Sequence, residues 1–443
     1  MLLDAKTDEY KSATLPHNSA TQQHPLRVAA LRSPADIAPA LAEVAALEQS
    51  LGRKLEVVVQ ATGHGSGSVV DESVVLFDTS RLNGVAIDPD ARVATVGAGA
   101  SWGLVNAAAE KHGLLGLAGS APSVSVSGYT FAGGIGWLVR RDGLASGSLR
   151  RVHYIDARGE SHIASDDASE QIDRDAIWAF RGAGGVGIAH TLELDLFPVD
   201  DLHAGLLLWH GDALPQLLEA WTNALPSIGP SVSMSIAVMH VPPVPPFPPQ
   251  LHGSVAVHLA IADPAGPDGA AALLAEMRAV ATPVVDDWGP KDAAGLARIH
   301  LDPPVASPGV GDARWLDGTA PDVIPQILAA AAASDSLVMV EIRHVAGAPR
   351  RREGAVVSPP GDFIYHGVGS LMVAERAWID AGLASLKPAW APADTGLAPG
   401  SWLEAAASAP SALSDEVLER ARAVADRVDP ERRIRRSRLQ TSA

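Results

Sequence analysis

The sequence predicts a mixed α+β protein with two domains, and two observations lead to this prediction. At 443 residues, 47% of them hydrophobic, the chain is long enough to bury two cores without disulfides or metal ions. Up to Pro198, apolar runs typical of strands alternate with amphipathic helical patterns, whereas longer strand patterns with helical stretches between them follow. We therefore expect domains at residues 1–199 and 200–400 and a C-terminal segment at 401–443.

The first domain begins with a helix and two strands that enclose a glycine-rich turn. Residues 33–52 have an N-cap, a first-turn proline, apolar residues on one helical face and a terminal glycine. The apolar runs 55–59 and 74–77 are typical of buried strands. Between them lies the turn 60–68, which holds one histidine, His64. A turn positioned by two strands in this way suits a ligand site.

Further along the first domain, two glycine-rich segments interrupt regular elements. Residues 93–96 predict a strand, residues 101–113 a capped helix, and residues 188–197 another strand. The glycine-rich segments are 119–136 and 182–187. Small residues let backbone amides approach a ligand closely, and pyrophosphate is a common ligand of such amides. A loop that only turns the chain fits the same composition.

These glycines do not match the fingerprints of the common nucleotide-binding folds. Gly182–Gly187 has the spacing G-x-G-x-x-G, but a helix precedes it and a strand follows it, the reverse of a Rossmann turn. The Walker sequence G-x-x-x-x-G-K-[ST] does not occur. Neither a Rossmann dinucleotide site nor a triphosphatase site is therefore indicated.

The second domain is predicted to contain a sheet covered by helices. Its strand patterns are residues 202–209, 231–239, 254–262, 337–344 and 363–370. Alternation along the last two strands brings Glu341, Arg343, His344, Tyr365 and His366 into one neighbourhood. These polar groups are the candidates for substrate chemistry in this domain.

The C-terminal segment combines a helix with a basic run. Val417, Ala421, Val424 and Val428 have helical spacing, and the helix ends at Asp429 before a proline. The arginines between 432 and 438 form a basic tail, and such tails are most often solvated.

Composition excludes several classes of function. The 34 basic and 51 acidic residues give a net charge of −17, which argues against nucleic-acid and anionic-membrane partners. The absence of cysteine excludes disulfides, thiolate nucleophiles and cysteine-type zinc sites. Residues 1–20 lack an apolar signal region, and the apolar stretch 327–342 is too short to span a bilayer. We expect a soluble, cytoplasmic protein with a small-molecule partner; the sequence carries no signal for its oligomeric state.

The segment from about Leu26 to about Pro198 resembles the flavin domain of the vanillyl-alcohol oxidase superfamily, in its berberine-bridge-enzyme-like branch of FAD-linked oxidoreductases. The motifs behind the resemblance are Thr62-Gly63-His64, Gly97-Ala98-Gly99 with Trp102, Pro122 to Gly136, and Trp178 to Gly182 with Gly184 to Gly187. The resemblance implies a two-part PCMH-type FAD-binding domain at 1–199 and a substrate domain with a helix-covered antiparallel sheet at 200–400. It also implies that the segment 401–443 returns to the FAD domain.

The resemblance further implies which residues bind FAD. They are Ala61, Thr62, Gly63, His64, Gly65 and Ser66 in the first loop, Gly119, Ser120, Pro122, Ser123, Val124, Gly128, Tyr129, Gly133, Gly134 and Gly136 in the second, and Val186, Gly187 and Ile188 on the adenine side. His64 stands where the family attaches the flavin covalently, and Ala121 replaces the cysteine that forms a second link in many members. FAD is therefore expected to be attached through His64 only. A histidine that only donates a hydrogen bond in a tight turn is the alternative.

The implied reaction is the oxidation of an alcohol or amine C–H bond of a small or natural-product-like molecule. Val124 occupies a position that gates oxygen in the family, and its small side chain favours an oxidase that reduces O₂ to hydrogen peroxide. Tyrosine often serves as the base, so Tyr365 is the first candidate and Tyr129 the second, with His366, His344 and Arg343 as orienting groups. The rival hypothesis is a flavin-fold protein without net redox turnover, such as a cyclase or a binding scaffold.

Overall fold

The computed structural model describes residues 2–66, 70–404 and 411–441. Gly67 and Ser68, at the end of the glycine-rich turn, lie outside these residues. The structure confirms a mixed α+β architecture, in which four sheets are covered by helices.

Most elements of the first domain are short. Its strands are β1 (Leu2–Leu3), β2 (Arg27–Ala30), β3 (Glu56–Gln60), β4 (Val74–Asp78), β5 (Val85–Asp88), β6 (Val93–Gly97), β7 (Leu114–Leu115), β8 (Leu149–Ile155), β9 (Ser161–Ser165), β10 (Ile188–Asp195) and β11 (Phe197–Pro198). Its helices are α1 (Asp8–Ala13), α2 (Ile37–Leu51), α3 (Trp102–Ala109), α4 (Val126–Phe131), α5 (Val139–Asp142), α6 (Ala145–Ser148) and α7 (Gln171–Phe180).

The strands of the first domain form two main sheets. In the first, of order β1-β2-β4-β3, strands β2, β4 and β3 are parallel, and Ile37 and Leu41 of α2 pack in the same core as Val75 and Phe77 of β4. The second sheet is antiparallel, of order β5-β6-β10-β8-β9, and α3 and α7 share its core. Since β3 ends at Gln60, the first sheet delivers the glycine-rich turn to its carboxyl edge.

The second domain is built on one large sheet. Its strands are β12 (His203–His210), β13 (Ser233–His240), β14 (Val255–Asp263), β15 (Val285–Asp286), β16 (Gly289–Pro290), β17 (Gly309–Leu316), β18 (Met339–His344) and β19 (Phe363–Ser370). Its helices are α8 (Leu214–Ala224), α9 (Asp268–Val280), α10 (Ala293–Leu296), α11 (Ile324–Ala332) and α12 (Arg376–Trp390). The antiparallel order is β15-β12-β14-β13-β18-β19-β17, with β16 paired to β12.

The two faces of this sheet differ in character. Residues paired across antiparallel strands share a face, so Glu341 and its partner His366 lie on one side. Ile342 and its partner Tyr365 lie on the other side, which packs against α8, α9, α11 and α12. The polar face is therefore turned away from the helices. Residues 1–199 and 200–400, which contain these separate sheets, remain the domains that we propose.

The C-terminal segment packs on the first domain instead of standing in solvent. Helix α13 (Asp415–Val428) contributes Val424 and Val428 to the core that contains α7. The tail beyond it pairs with β3, because the Val57 amide donates to the Arg433 carbonyl (2.7 Å) and the Arg435 amide to the Val57 carbonyl (2.8 Å). The prediction of a solvated basic tail is wrong for this part of the chain, since the edge of β3 offers unpaired backbone groups.

Among the helices that the structure describes, none has the length and apolar character needed to cross a membrane.

Candidate functional site

The first loop of the site, residues 61–66, is held against the N-terminal segment. The amides of His17 and Asn18 donate to the carbonyls of Thr62 and Gly63, at 3.1 and 3.2 Å. Gly63 has a φ of +71°, and a Cβ there would lie 2.6 Å from the Cβ of Pro16. This position therefore needs glycine for both its backbone angle and its packing.

The second loop, residues 118–125, meets the first one side chain to side chain. The Nε2 atom of His64 lies 2.9 Å from the hydroxyl of Ser123, and the amide of Ser125 donates to the hydroxyl of Thr62 at 3.2 Å. The second loop is also held by α3. The amide of Trp102 donates to the carbonyl of Val124 at 2.9 Å, and the amide of Gly103 donates to the carbonyl of Pro122 at 2.8 Å. The two glycine-rich loops are therefore in direct contact.

Several amides in these loops have no acceptor. Within the described residues, the N–H groups of Gly63, His64 and Gly65 in the first loop, and of Gly119 and Ser120 in the second, donate to no protein atom. A group of neighbouring backbone N–H donors beside glycines suits an anionic ligand, because such amides can bind its oxygens together. The residues present therefore fit the pyrophosphate of FAD.

Three glycines of the second loop region have a packing explanation. A Cβ at Gly134 would lie 2.6 Å from the ring of Tyr129, one at Gly119 would lie 3.1 Å from it, and one at Gly136 would lie 1.9 Å from the carbonyl oxygen of Ala118. These positions make room for Tyr129 and for the loop backbone. Close approach of a ligand is not needed to account for them.

Tyr129 itself is buried, and its hydroxyl has no hydrogen-bond partner among the described residues. Burial raises the pKa of this phenol, with Arg343 opposing weakly. Gly128 precedes it in the short helix α4, and Gly133, with a φ of +98°, follows that helix. The neutral hydroxyl of Tyr129 is one more unsatisfied group beside the second loop.

The predicted adenine-side residues lie where the two sheets of the first domain join. Ile188 packs in the core of the first sheet although it belongs to β10 of the second, and Val186 belongs to the core of the second sheet. A Cβ at Gly187 would lie 2.6 Å from the ring of Tyr154. The segment 186–188 is therefore also fixed by protein packing.

His64 is held as a neutral imidazole. Its ring stacks on that of His17, with centroids 3.6 Å apart and planes 14° from parallel. Burial and the neighbouring His17 lower the pKa of His64 to about 3, while Asp302 opposes this effect. A neutral histidine keeps a nitrogen lone pair for bond formation at physiological pH.

A row of polar and charged side chains, buried at its sheet end, leads from the second loop to the polar face of the large sheet. Ser120 lies near Asp302 and helps to lower the pKa of its carboxyl, and this carboxylate lies 2.8 Å from Nδ1 of His300. The Nε2 atom of His300 lies 3.1 Å from the carboxylate of Glu341. Burial opposes a charge on His300, but Glu341 and Asp302 outweigh it and raise the pKa of this imidazole to about 10. His300 is therefore a fixed cation between two carboxylates.

On the sheet, Glu341 is the centre of the polar cluster. Arg343 donates to both of its carboxylate oxygens at 3.3 Å, and Nδ1 of His366 lies 3.7 Å from one of them. The guanidinium of Arg343 stacks between Trp137, at 4.1 Å, and Trp402, at 4.5 Å. Although burial disfavours its charge, Arg343 and His300 hold the pKa of Glu341 well below its ordinary value.

The structure separates the residues that were expected to lie together around Tyr365. Glu341, Arg343 and His366 share the polar face, but Tyr365 is fully buried on the opposite face, against Trp390 of α12. His344 also lies on the helix-covered face, stacked on Phe363. The period of two along a strand is the reason, because adjacent residues such as Tyr365 and His366 point to opposite sides.

Sequence reasoning missed His300, Asp302 and Glu404. His300 and Asp302 lie on an irregular segment where Leu301 adopts a φ of +66°. This conformation is strained for a branched residue, and such strain is often found at functional sites. The spacing His-x-Asp before two prolines was the only sequence signal. Glu404 follows the 3₁₀ turn Gly400–Trp402, and its Oε1 atom lies 4.0 Å from Nε2 of His366.

Comparison with known proteins finds an FAD-binding domain in the sequence and a fold shared with solved structures. An FAD binding domain model matches residues 25–165. The chain is 29% identical to (R)-6-hydroxynicotine oxidase of Paenarthrobacter nicotinovorans over 199 residues, 43% of each protein. It is 29% identical to berberine bridge enzyme-like D-1 of Nicotiana tabacum over 197 residues, 41% of this chain and 34% of that relative. The matched segments thus cover less than half of the length of these curated relatives.

Solved structures match over nearly the whole chain. The structure of 6-hydroxy-D-nicotine oxidase from Arthrobacter nicotinovorans superposes with a TM-score of 0.80 at 20% identity, covering 98% of this chain and 96% of that one. Physcomitrella patens BBE-like 1 gives a TM-score of 0.80 at 17% identity, covering 98% and 95%. At these identities the likeness establishes the fold. The chain thus contains an FAD-binding domain, is similar in sequence there to FAD-linked oxidoreductases, and has the fold of the berberine-bridge-enzyme-like structures.

Proposed function

We propose that this protein is an FAD-dependent oxidase that removes hydrogen from an alcohol or amine of a small molecule and reduces O₂ to hydrogen peroxide. The observation that carries the proposal is the row of polar side chains Asp302–His300–Glu341–His366, which begins beside Ser120 of the second loop and ends on the polar face of the large sheet. Acid–base groups within reach of a flavin site are what oxidation of an O–H or N–H substrate requires.

The loop 61–66, together with the loop 119–125, would hold FAD. Their unpaired amides suit the pyrophosphate, and the neutral imidazole of His64 suits covalent attachment. Ala121 leaves His64 as the single tether that we propose. When bound, FAD would supply the hydride acceptor and the route by which electrons reach O₂.

His366 is the base that we propose, in place of Tyr365. Its two nitrogens have no hydrogen-bond partner among the described residues, although Glu341 and Glu404 carboxylates lie 3.7 and 4.0 Å away. An imidazole so placed can take the proton of a substrate O–H or N–H as the hydride leaves the neighbouring carbon. Glu341 stabilises the resulting imidazolium, and Glu404, whose pKa burial raises, offers a second acceptor.

His300 is excluded as the base because it is already protonated between Asp302 and Glu341. Its role is to keep Glu341 ionised and oriented. Tyr365 is disfavoured because its hydroxyl is buried on the opposite face, where burial and the carboxylate of Asp312 raise its pKa and Arg314 opposes them. Tyr129 lies beside the second loop, but its pKa is raised by the same cause.

Turnover of a substrate panel under air tests this function. Primary and secondary alcohols and cyclic amines are mixed with the protein, and the visible spectrum, oxygen and peroxide are followed together. We expect flavin bleaching by a substrate, followed by reoxidation with equal amounts of O₂ consumed and peroxide formed. Reoxidation only by an artificial acceptor would contradict the oxidase assignment, and a protein that binds no flavin would favour the non-redox scaffold or cyclase.

A further inference from the structure

The end of the C-terminal tail places an arginine against the glycine-rich turn. A Cβ at Gly65 would lie 3.2 Å from an Nη atom of Arg438, so the guanidinium packs directly on this glycine. The tail is fixed on both sides of that contact. Upstream it pairs with β3 through Ile434, and downstream the Gln440 side chain donates to the Ala183 carbonyl at 2.8 Å.

Arg438 differs from the other arginines of the tail in its pairing. Arg433, Arg435 and Arg436 form ion pairs with Glu431, Glu56 and Asp426. The guanidinium of Arg438 has no carboxylate within ion-pairing distance in the part of the chain that the structure describes. Burial lowers its pKa to about 10, with Glu404 opposing, so the group stays charged at neutral pH. A partly buried cation without a partner is costly unless an anion completes it.

The neighbouring backbone presents donors of the same kind. Gly65, which Arg438 contacts, belongs to the run of three amides from Gly63 to Gly65 that find no acceptor among the described residues. Guanidinium and backbone N–H groups are the donors that bind phosphate oxygens most effectively. Among the described residues, no acceptor side chain hydrogen-bonds to Arg438 or to these three amides, and the nearest opposing charge named for Arg438 is Glu404.

We propose that Arg438 is a ligand of a phosphate group of FAD and that it completes, with the amides of residues 63–65, an anion site built from both ends of the chain. This inference rests on the proposed binding of FAD. It gives the basic tail a specific function, because the pairing of Ile434 with Val57 and the anchoring of Gln440 would hold Arg438 in place before the cofactor arrives.

The test compares FAD with riboflavin, which has the same ring system and no phosphate. Binding is measured by quenching of flavin fluorescence in the full chain carrying His64→Ala, so that no covalent bond interferes. Arg438→Met should weaken FAD binding by about tenfold or more, the equivalent of one charge-assisted hydrogen bond. Riboflavin binding should stay unchanged. Arg438→Lys should recover part of the loss, and Arg433→Met, in the same tail, serves as the matched control.

Unchanged FAD binding in Arg438→Met, or an equal loss for FAD and riboflavin, would overturn the assignment. If the melting temperature shows that Arg438→Met does not fold, Arg438→Gln and Arg438→Lys are used instead. The same comparison of FAD affinity with riboflavin affinity then tests the role of Arg438. If the His64→Ala parent binds neither flavin, the proposed cofactor itself is wrong. A loss of affinity for FAD alone, in the Arg438 variants alone, would support Arg438 as a phosphate ligand. A parent that binds neither flavin would instead contradict the proposed binding of FAD.

Discussion

The Nε2 atom of His64 lies 2.9 Å from the hydroxyl of Ser123, which joins the two glycine-rich loops of the FAD-binding domain at one contact. Within the described residues, this is the only hydrogen bond of the His64 side chain, so Nδ1 is not engaged. With burial and His17 lowering its pKa to about 3, the imidazole is neutral and oriented. The contact with Ser123 and the stacking on His17 fix the orientation of this ring.

Substitutions at two adjacent residues, one on each face of the large sheet, test whether the catalytic base lies on the polar face. His366→Gln should lower kcat by roughly 10²–10⁴-fold, because it removes the group that accepts the substrate proton. Tyr365→Phe should leave kcat unchanged, since the hydroxyl that it removes is buried on the opposite face and has no hydrogen-bond partner in the described part of the chain. Steady-state kinetics and melting temperatures of both variants provide the measurement. A larger loss of kcat in Tyr365→Phe than in His366→Gln would identify Tyr365 as the base instead.

The bridge formed by His300 predicts a distinct pH dependence of stability. Its pKa is raised from 6.5 to about 10, so the folded state binds the extra proton, and this stabilisation is complete below pH 6.5 and lost as the pH rises towards 10. His300→Gln, which removes the cation that Glu341 and Asp302 share, should lower the free energy of unfolding at pH 6 by about 3 kcal/mol or more. Denaturant titrations should show this difference shrinking between pH 6.5 and 10. A constant difference would show that His300 is not protonated in the fold.

Two glycine substitutions test whether a glycine of the second loop region is required by the packing of the protein itself, independently of any bound ligand. Gly136→Ala places a Cβ 1.9 Å from the Ala118 carbonyl oxygen and should destabilise the protein without flavin by about 1–3 kcal/mol. Gly84→Ala, where no atom lies within 4 Å of the added Cβ, is the control and should leave stability nearly unchanged. Thermal unfolding of the two variants gives the comparison. Equal melting temperatures would mean that the loop 118–136 is more plastic than its packing indicates.

Oxygen reactivity is tested at Val124, which is partly buried and packs against the core of the second sheet. Val124→Leu should slow reoxidation of the reduced protein by O₂ and leave the rate of its reduction by substrate unchanged, because a bulkier side chain narrows the oxygen path that we propose. Stopped-flow mixing with oxygenated buffer measures the two rates separately. Val124→Ala, as the control, should retain the wild-type reoxidation rate.

The regular elements could be predicted because their signals are local. The apolar run 55–59, for example, is β3 in the structure, and Phe363–Ser370 is β19 with the predicted bounds. The resemblance to a flavin-binding family assigned both glycine-rich loops to FAD, and that assignment remains a prediction. These parts depend on short stretches of sequence that fold in their own immediate context.

What could not be predicted depends on contacts between distant parts of the chain. Asp302 approaches Ser120 only because an irregular segment with Leu301 at positive φ crosses between the domains. Arg438 reaches Gly65 only because the tail pairs with the edge of β3. Tyr365 was favoured for its chemistry, although strand alternation alone separates it from His366. Composition and periodicity carry no signal for the first two contacts.

The state of the flavin after denaturation tests the central claim most directly. The purified protein and His64→Ala are precipitated with acid, and the visible spectra of pellet and supernatant are recorded. We predict that the wild-type pellet stays yellow while His64→Ala releases its flavin into the supernatant. Complete release of flavin by the wild-type protein would contradict the tether at His64, and a colourless protein before precipitation would contradict FAD binding itself.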